Sequence, residues 1–252
     1  MFKRIHIDQC PVDCLEENET AEYLYEKIQN RQRCHVAPVN AAVVVMASRH
    51  PDFREILQGM DLLLPDGFWL QTASRLCRLP SPHHVATVPL TYKLLRRMAP
   101  QGARVYLLGA TDEVVNGAAR EITRRFPGIQ IAGFHNGYFT ELEEKQIVQN
   151  LNETHPGLLL IGISSPKREL FMTRNRNALA VPVVIGVGGL LDILGGKTSE
   201  GPQWLRRIGM MWLFRFIQEP RRMWQRAIML SGEFVWLVLK QAVRPAPLSS
   251  LK

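Results

Sequence analysis

A chain of 252 residues, 46% hydrophobic and 21% charged, is long enough to bury a substantial core and too apolar to be disordered. Four scattered cysteines are too few for a disulfide framework and point to a reduced, cytosolic setting, and residues 1–24 carry no apolar run of the kind a secretory signal needs. Most of the net charge of +8 sits late in the chain: between Gly201 and Pro245, eight Arg and Lys residues face only Glu219 and Glu233. A nucleic-acid binder would spread its basic face over the folded body, so nucleic acid is not an expected partner. A basic tail rich in large apolar residues points instead to an anionic membrane surface.

In chain order, a strand near Cys34–Val39 meets a helix that begins at Asn40. The run Asp61–Gly67 is a second strand that leads into a helix over 67–77, and Pro65-Asp66-Gly67 marks the junction. That tripeptide is a turn signal in its own right, and Asp66 is also placed as a carboxylate held at a strand end. Residues 104–110 read as a buried strand followed by a helix over 111–126, with Thr111 as its N-cap and Asp112 and Glu113 in the first turn, where the helix dipole favours acids. Further strands are predicted over 129–134, 157–163 and 181–189, and helices over 141–155 and 166–179, the latter capped by Ser165.

Unbroken apolar strands alternating with helices predict an α/β fold: a doubly wound, mostly parallel sheet built from two Rossmann-like subdomains, about 1–100 and 101–200. A basic helical appendage, 201–252, follows. In such sheets ligands bind beyond the carboxyl ends of the strands. Asn40, Asp66, Gly109, Pro166 and Gly188 all fall at strand-to-helix junctions.

Three constellations could carry chemistry. The first is Gly186-Val187-Gly188-Gly189 with Asp192 behind it. Glycines after a buried strand let backbone N–H groups approach a phosphate, or they simply allow tight strand–helix packing. Asp192 would take a ribose hydroxyl or sit as a first-turn acid. The full dinucleotide fingerprint is absent. The second is Lys167 and Arg168 at the opening of a helix, where the dipole disfavours cations: either an anion binds there or both charges are solvated.

The third is the stretch 210–243, in which Pro220 opens a second helix and Arg222 and Arg226 share one face. Its most apolar part, Ala227–Leu239, carries Glu233 and is too short to span a bilayer. An interfacial helix pair or an ordinary core-packing pair would both account for it. No Asp-x-Asp pair occurs, and Cys10, Cys14 and His6 find no further ligand pair, so neither a metal site nor a cofactor is expected. A bound diphosphate would have to be neutralised by arginines and backbone amides.

Together these stretches resemble the WecG/TagA/CpsF glycosyltransferases, glycosyltransferase family 26. The resemblance is carried by Asn40-Ala41, Leu64–Gly67, residues 105–110, Gly137-Tyr138-Phe139, Pro166-Lys167 with Glu169, Gly186–Gly189 with Asp192, and Gly196-Lys197. It continues through Pro202, Trp204, Gly209, Trp212, Arg215 and residues 218–222. What it implies is inverting transfer of a sugar from a UDP-sugar to a polyprenyl-diphosphate-linked sugar, by a peripheral protein at the cytoplasmic face of the membrane. Asp66 would be the general base, and Arg215 and Arg222 would complete the site over the diphosphate. Asn40, Gly67, Gly109, Tyr138, Lys167, Arg168, Gly186, Gly188, Gly189 and Asp192 would line the substrate pocket. A homo-oligomer is left open.

The chain departs from the pattern at Pro38, at His84, Thr87 and Pro89 (arginine, glycine and aspartate in the family), and at Arg168, Ser199, Glu200, Met211 and Gln225. The donor sugar is therefore not carried over: N-acetylmannosamine, a uronic acid and glucose stay open. Two other readings remain, a catalytically weak or inactive nucleotide-sugar-binding protein at the membrane and a nicotinamide-dependent oxidoreductase.

Overall fold

The computed structural model describes residues 2–199, 201 and 220–243. Strands β1 (Lys3–Ile7) and β2 (Cys10–Cys14) form an antiparallel hairpin ahead of helix α1 (Glu17–Gln29). Then come β3 (Cys34–Val39), α2 (Ala41–Arg49), α3 (Pro51–Gln58), β4 (Leu62–Pro65), α4 (Phe68–Leu76) and α5 (Thr87–Met98). The following segment is β5 (Arg104–Gly109), α6 (Asp112–Arg125), β6 (Gln130–His135), α7 (Glu141–Glu153), β7 (Leu158–Gly162), α8 (Lys167–Arg174), β8 (Val183–Gly186) and α9 (Leu190–Leu194). The described part closes with α10 (Pro220–Val243).

Six strands form one sheet in the order β4-β3-β8-β7-β5-β6, and every neighbouring pair is parallel. This is the doubly wound arrangement expected from unbroken apolar strands, and β3 pairing with β8 joins the strands of the two chain halves. Side chains alternate across the sheet. Val36, Leu64, Leu107, Leu160 and Ile185 pack in one cluster with residues of α1, α5, α6 and α9. Ala37, Leu63, Leu108, Ile161 and Val184 pack in another with residues of α2, α3, α7 and α8. Two buried faces are why the strands lack an apolar–polar alternation.

The N-terminal hairpin was not anticipated. Ile5 and Ile7 are buried, Asp8 turns the chain with φ 49°, and the hairpin lies against the edge strand β4. Asp13, 2% exposed, accepts from the Leu63 N–H at 2.8 Å and pairs with Arg4 (Nε–Oδ1, 2.6 Å). An edge N–H that would otherwise lack a partner is thereby satisfied, and the edge is covered.

Helix α8 is shorter than its apolar pattern suggests. It ends at Arg174, and the Asn175 side chain at its C-cap donates to the Phe171 carbonyl at 2.9 Å and to Glu144 at 2.5 Å. At its start Pro166 occupies the cap position, and Ser165 donates instead to Glu169 Oε2 at 2.7 Å. The Thr111 cap of α6 is present, accepting from the Val114 N–H, and Thr140 and Glu143 form a capping box on α7.

Helix α10 packs against α2 and α4. Phe234, Leu237 and Val238, at helical spacing, are buried in the same cluster as Val43 and Val44 of α2. Arg49 Nε donates to Glu233 at 2.9 Å, and Gln241 accepts from the Asp8 N–H and donates to the His6 carbonyl at 2.7 and 3.0 Å. Among the described residues no helix is long and apolar enough to cross a membrane.

Candidate active site

Because all six strands run parallel, their carboxyl ends share one edge of the sheet, and the strand-to-helix junctions lie along it. At the end of β4, Pro65 has no N–H to offer, and the Asp66 N–H donates to the Val39 carbonyl at 2.8 Å, which ties the loop to β3. Gly67 has φ 141°, in the region that favours glycine, and this lets the chain turn from strand into α4. A side chain on Gly67 would also touch Asn40. Asn40 itself is exposed and caps α2, its Oδ1 accepting from the Val43 N–H at 3.1 Å.

The Asp66 carboxylate is about one third exposed and sits at the start of α5. Thr87, the first residue of that helix and nearly buried, donates from Oγ1 to Asp66 Oδ2 at 2.7 Å. His84 Nε2 stands 3.9 Å from Asp66 Oδ1. The Val85 N–H donates to the Pro65 carbonyl at 3.1 Å, so the loop carrying His84 is pinned to the strand carrying Asp66. The hydroxyl donor and the pinned loop fix how the carboxylate is oriented. Asp66 is thus a half-exposed, oriented carboxylate and not only a turn former. His84 and Thr87, noticed in the sequence only as departures from a pattern, are its partners. The signal for them was a threonine opening an amphipathic helix that has proline in its first turn.

At the centre of the edge glycines let neighbouring backbones pack closely. A Cβ on Gly109, φ 143°, would come within 2.6 Å of the Gly162 backbone, and one on Gly137 would come within 3.1 Å of the Gly109 Cα. Lys167 reaches across this floor, donating to the Gly137 and Phe139 carbonyls at 3.2 and 2.9 Å with its ammonium 4.2 Å from the centre of the Phe139 ring. That holds the loop on which Tyr138 is 76% exposed.

Arg168 behaves differently from its neighbour. It is 4% exposed and pairs with the fully buried Glu169, Nε to Oε1 at 2.9 Å. It is therefore not a solvated charge, and the anion it meets is internal. Its stem explains Gly186: a Cβ there would come within 2.5 Å of the Arg168 Cδ and 3.1 Å of the Pro38 ring. Gly188, φ 52°, faces open space, and Gly189 caps the short α9. Asp192 is held by Lys197, its carbonyl accepting from the Lys197 N–H at 2.9 Å and its carboxylate 3.7 Å from the ammonium. Arg215, Glu200 and Met211 lie outside the described residues; Arg222 and Gln225 lie on α10, their side chains outside the description.

A hollow of about 400 Å³ lies between α6 and α9, lined by Gly117, Arg120, Glu121, Arg124 and Gly196 among others. Arg124 and Arg125 there both pair with Glu121 within the helix, and the hollow lies away from the strand-to-helix junctions.

The sequence pattern described as the Glycosyl transferase WecG/TagA/CpsF family matches residues 5–247. The chain belongs to this family. A protein of Bacillus subtilis (strain 168) is 28% identical over 208 residues, covering 82% of this chain and 79% of its own length. One of Bacillus spizizenii is 26% identical over 205 residues (81% and 78%), and one of Staphylococcus aureus (strain MW2) 27% over 194 (77% and 76%). Each is named N-acetylglucosaminyldiphosphoundecaprenol N-acetyl-beta-D-mannosaminyltransferase. Family membership makes the chain a glycosyltransferase and sets aside the oxidoreductase reading.

Proposed function

We propose that this glycosyltransferase moves a sugar, with inversion, from a UDP-sugar to a polyprenyl-diphosphate-linked sugar at the inner face of the cell membrane. The observation that carries the reading is the Asp66 carboxylate at the carboxyl edge of the sheet, half-exposed and oriented by Thr87. In the reaction the acceptor hydroxyl loses its proton to Asp66 as its oxygen attacks the anomeric carbon. The bond from that carbon to the diphosphate breaks on the opposite side, and UDP leaves with the electron pair. Asn40, Gly67, Gly109, Tyr138, Lys167, Gly186, Gly188, Gly189 and Asp192 line the substrate pocket, with open backbone at Gly188 for close approach of a phosphate. Arg215 and Arg222 neutralise the leaving diphosphate.

The relatives' printed names make an undecaprenyl-diphosphate-linked N-acetylglucosamine the first acceptor to test and N-acetylmannosamine the first donor sugar. The Arg168 charge is met by Glu169, so this position gives no reason to favour an acidic donor. The test is a panel of UDP-sugars with a synthetic lipid-diphosphate-linked N-acetylglucosamine, read by mass spectrometry. Product is expected from at least one donor. Asp66→Asn should retain UDP binding and lower turnover by about 100-fold or more, the usual contribution of a general base. Turnover by that variant at the wild-type rate would remove Asp66 from the role.

A further inference from the structure

We infer that His84 is a positioning residue that acts through Asp66, taking over the proton that Asp66 removes from the acceptor and releasing it to solvent. The inference rests on the reading of Asp66 as the base. Thr87 holds Oδ2 at 2.7 Å, which turns Oδ1 toward His84 Nε2 at 3.9 Å. That distance is beyond a hydrogen bond, and catalytic contacts commonly tighten from such separations when substrate binds. The His84 side chain is 30% exposed, so it meets both the carboxylate and water. The bond from the Val85 N–H to the Pro65 carbonyl fixes the ring's loop to the base's strand.

The chemistry depends on which cation-forming group stands here. An arginine would keep Asp66 ionised at every working pH and could never accept its proton. An imidazole is a stronger base than a carboxylate and is neutral in the upper part of the physiological range. The proton balance is complete. The acceptor O–H bond breaks and its proton goes to Asp66 Oδ1, then to His84 Nε2, then to water, and both side chains return to their starting forms. Among the described residues, the charged groups at this point include Asp66 from the end of β4 and His83 beside His84 in the loop. Helix α1 brings Glu17, and Glu16 just before it stands 3.5 Å from His83; α5 brings Lys93, which is bound to Glu17 at 2.7 Å.

The experiment is the pH dependence of kcat, at saturating donor and acceptor, for the full chain, His84→Gln, His84→Arg and Asp66→Asn, with thermal melting to establish that each variant folds. In the wild type, turnover should rise with pH, because only neutral His84 can receive the proton. Both His84 variants should lose that limb and fall about tenfold or more in kcat, with KM for the donor changed by less than about twofold. A limb that persists in His84→Gln, or a wild-type kcat in both variants, overturns the inference. Asp66→Asn separates the two ideas. If it is inactive while the His84 variants match the wild type, the relay is wrong and the base stands; if it is active, the base reading falls and the relay with it.

Discussion

His35 on β3 and Asp66 just beyond the end of β4 stand in contrasting degrees of burial. Asp66 keeps about a third of its surface in water and has Thr87 as a donor. His35 on β3 is fully buried, and neither ring nitrogen has a hydrogen-bond partner among the described residues. Burial, with some repulsion from Arg176 and Arg33, pulls its pKa down to about 4. The folded protein therefore holds His35 neutral, whereas in the unfolded chain it titrates near 6.5. Its contribution to stability is fully present above about pH 6.5 and is lost as pH falls toward 4, because the unfolded state then binds a proton that the fold refuses. A shift of this size corresponds to about 2–3 kcal/mol between pH 7 and pH 4.5. Urea unfolding at the two pH values should show that loss in the wild type and a smaller one in His35→Leu. The variant should be about as stable as the wild type at pH 7, since an unpartnered polar group is exchanged for an apolar one.

Helices and strands were legible where their own residues decide them. Thr111 with Asp112 and Glu113 specified the start of α6, and the apolar runs over 104–110 and 157–163 specified β5 and β7 to within a residue or two. The hairpin β1–β2 was not legible, because its short alternation of Ile5 and Ile7 gains meaning only against β4 and the Asp13 contact to Leu63. For α8 the end is marked by the Asn175 side chain, which bonds the Phe171 carbonyl and the distant Glu144, a contact that local spacing does not reveal. In α10 the sequence left core packing and an interfacial surface as alternatives, and the described end of the helix has residues of both kinds. Phe234, Leu237 and Val238 are buried, while Val235, Trp236, Leu239 and Val243 are about half exposed or more. Deleting the whole tail would uncover the core as well as remove the exposed stripe. Single substitutions separate the two. Leu237→Ala should cost about 2–5 kcal/mol in urea unfolding, as large-to-small core changes do. Trp236→Ser with Leu239→Ser should leave the melting temperature within a degree or two and weaken binding to anionic vesicles by about tenfold or more.

At the scale of the whole molecule, sheet order and charge placement govern what the fold can do. Strand order was not legible, because β3 pairs with β8 across most of the chain and pairing at such separation leaves no local trace. That order nonetheless places Asn40, Asp66, Gly109, Lys167 and Gly188 along one edge, as junction positions in a parallel sheet must be. Arg168 was the junction residue whose setting could not be read, since nothing in its neighbours' spacing shows that Glu169 would be buried beside it. Charge follows a different division: the stretch from Gly201 to Pro245 carries most of the net +8, leaving the α/β part nearly neutral. If that stretch holds the protein on an anionic bilayer, attraction adds on the order of 1 kcal/mol for each cation near the surface and decays within the Debye length, about 10 Å at 0.1 M salt and 3 Å at 1 M. The apolar stripe of α10 is not screened in this way. Co-sedimentation with vesicles containing about 30% anionic lipid should therefore fall steeply as salt rises, yet level off above binding to the Trp236→Ser, Leu239→Ser variant. Turnover of a long-chain lipid-linked acceptor embedded in those vesicles should fall along the same salt curve, while turnover of a short-chain soluble acceptor should not. Binding that is indifferent to salt, or equal on zwitterionic vesicles, would show that the basic tail serves something other than a charged membrane.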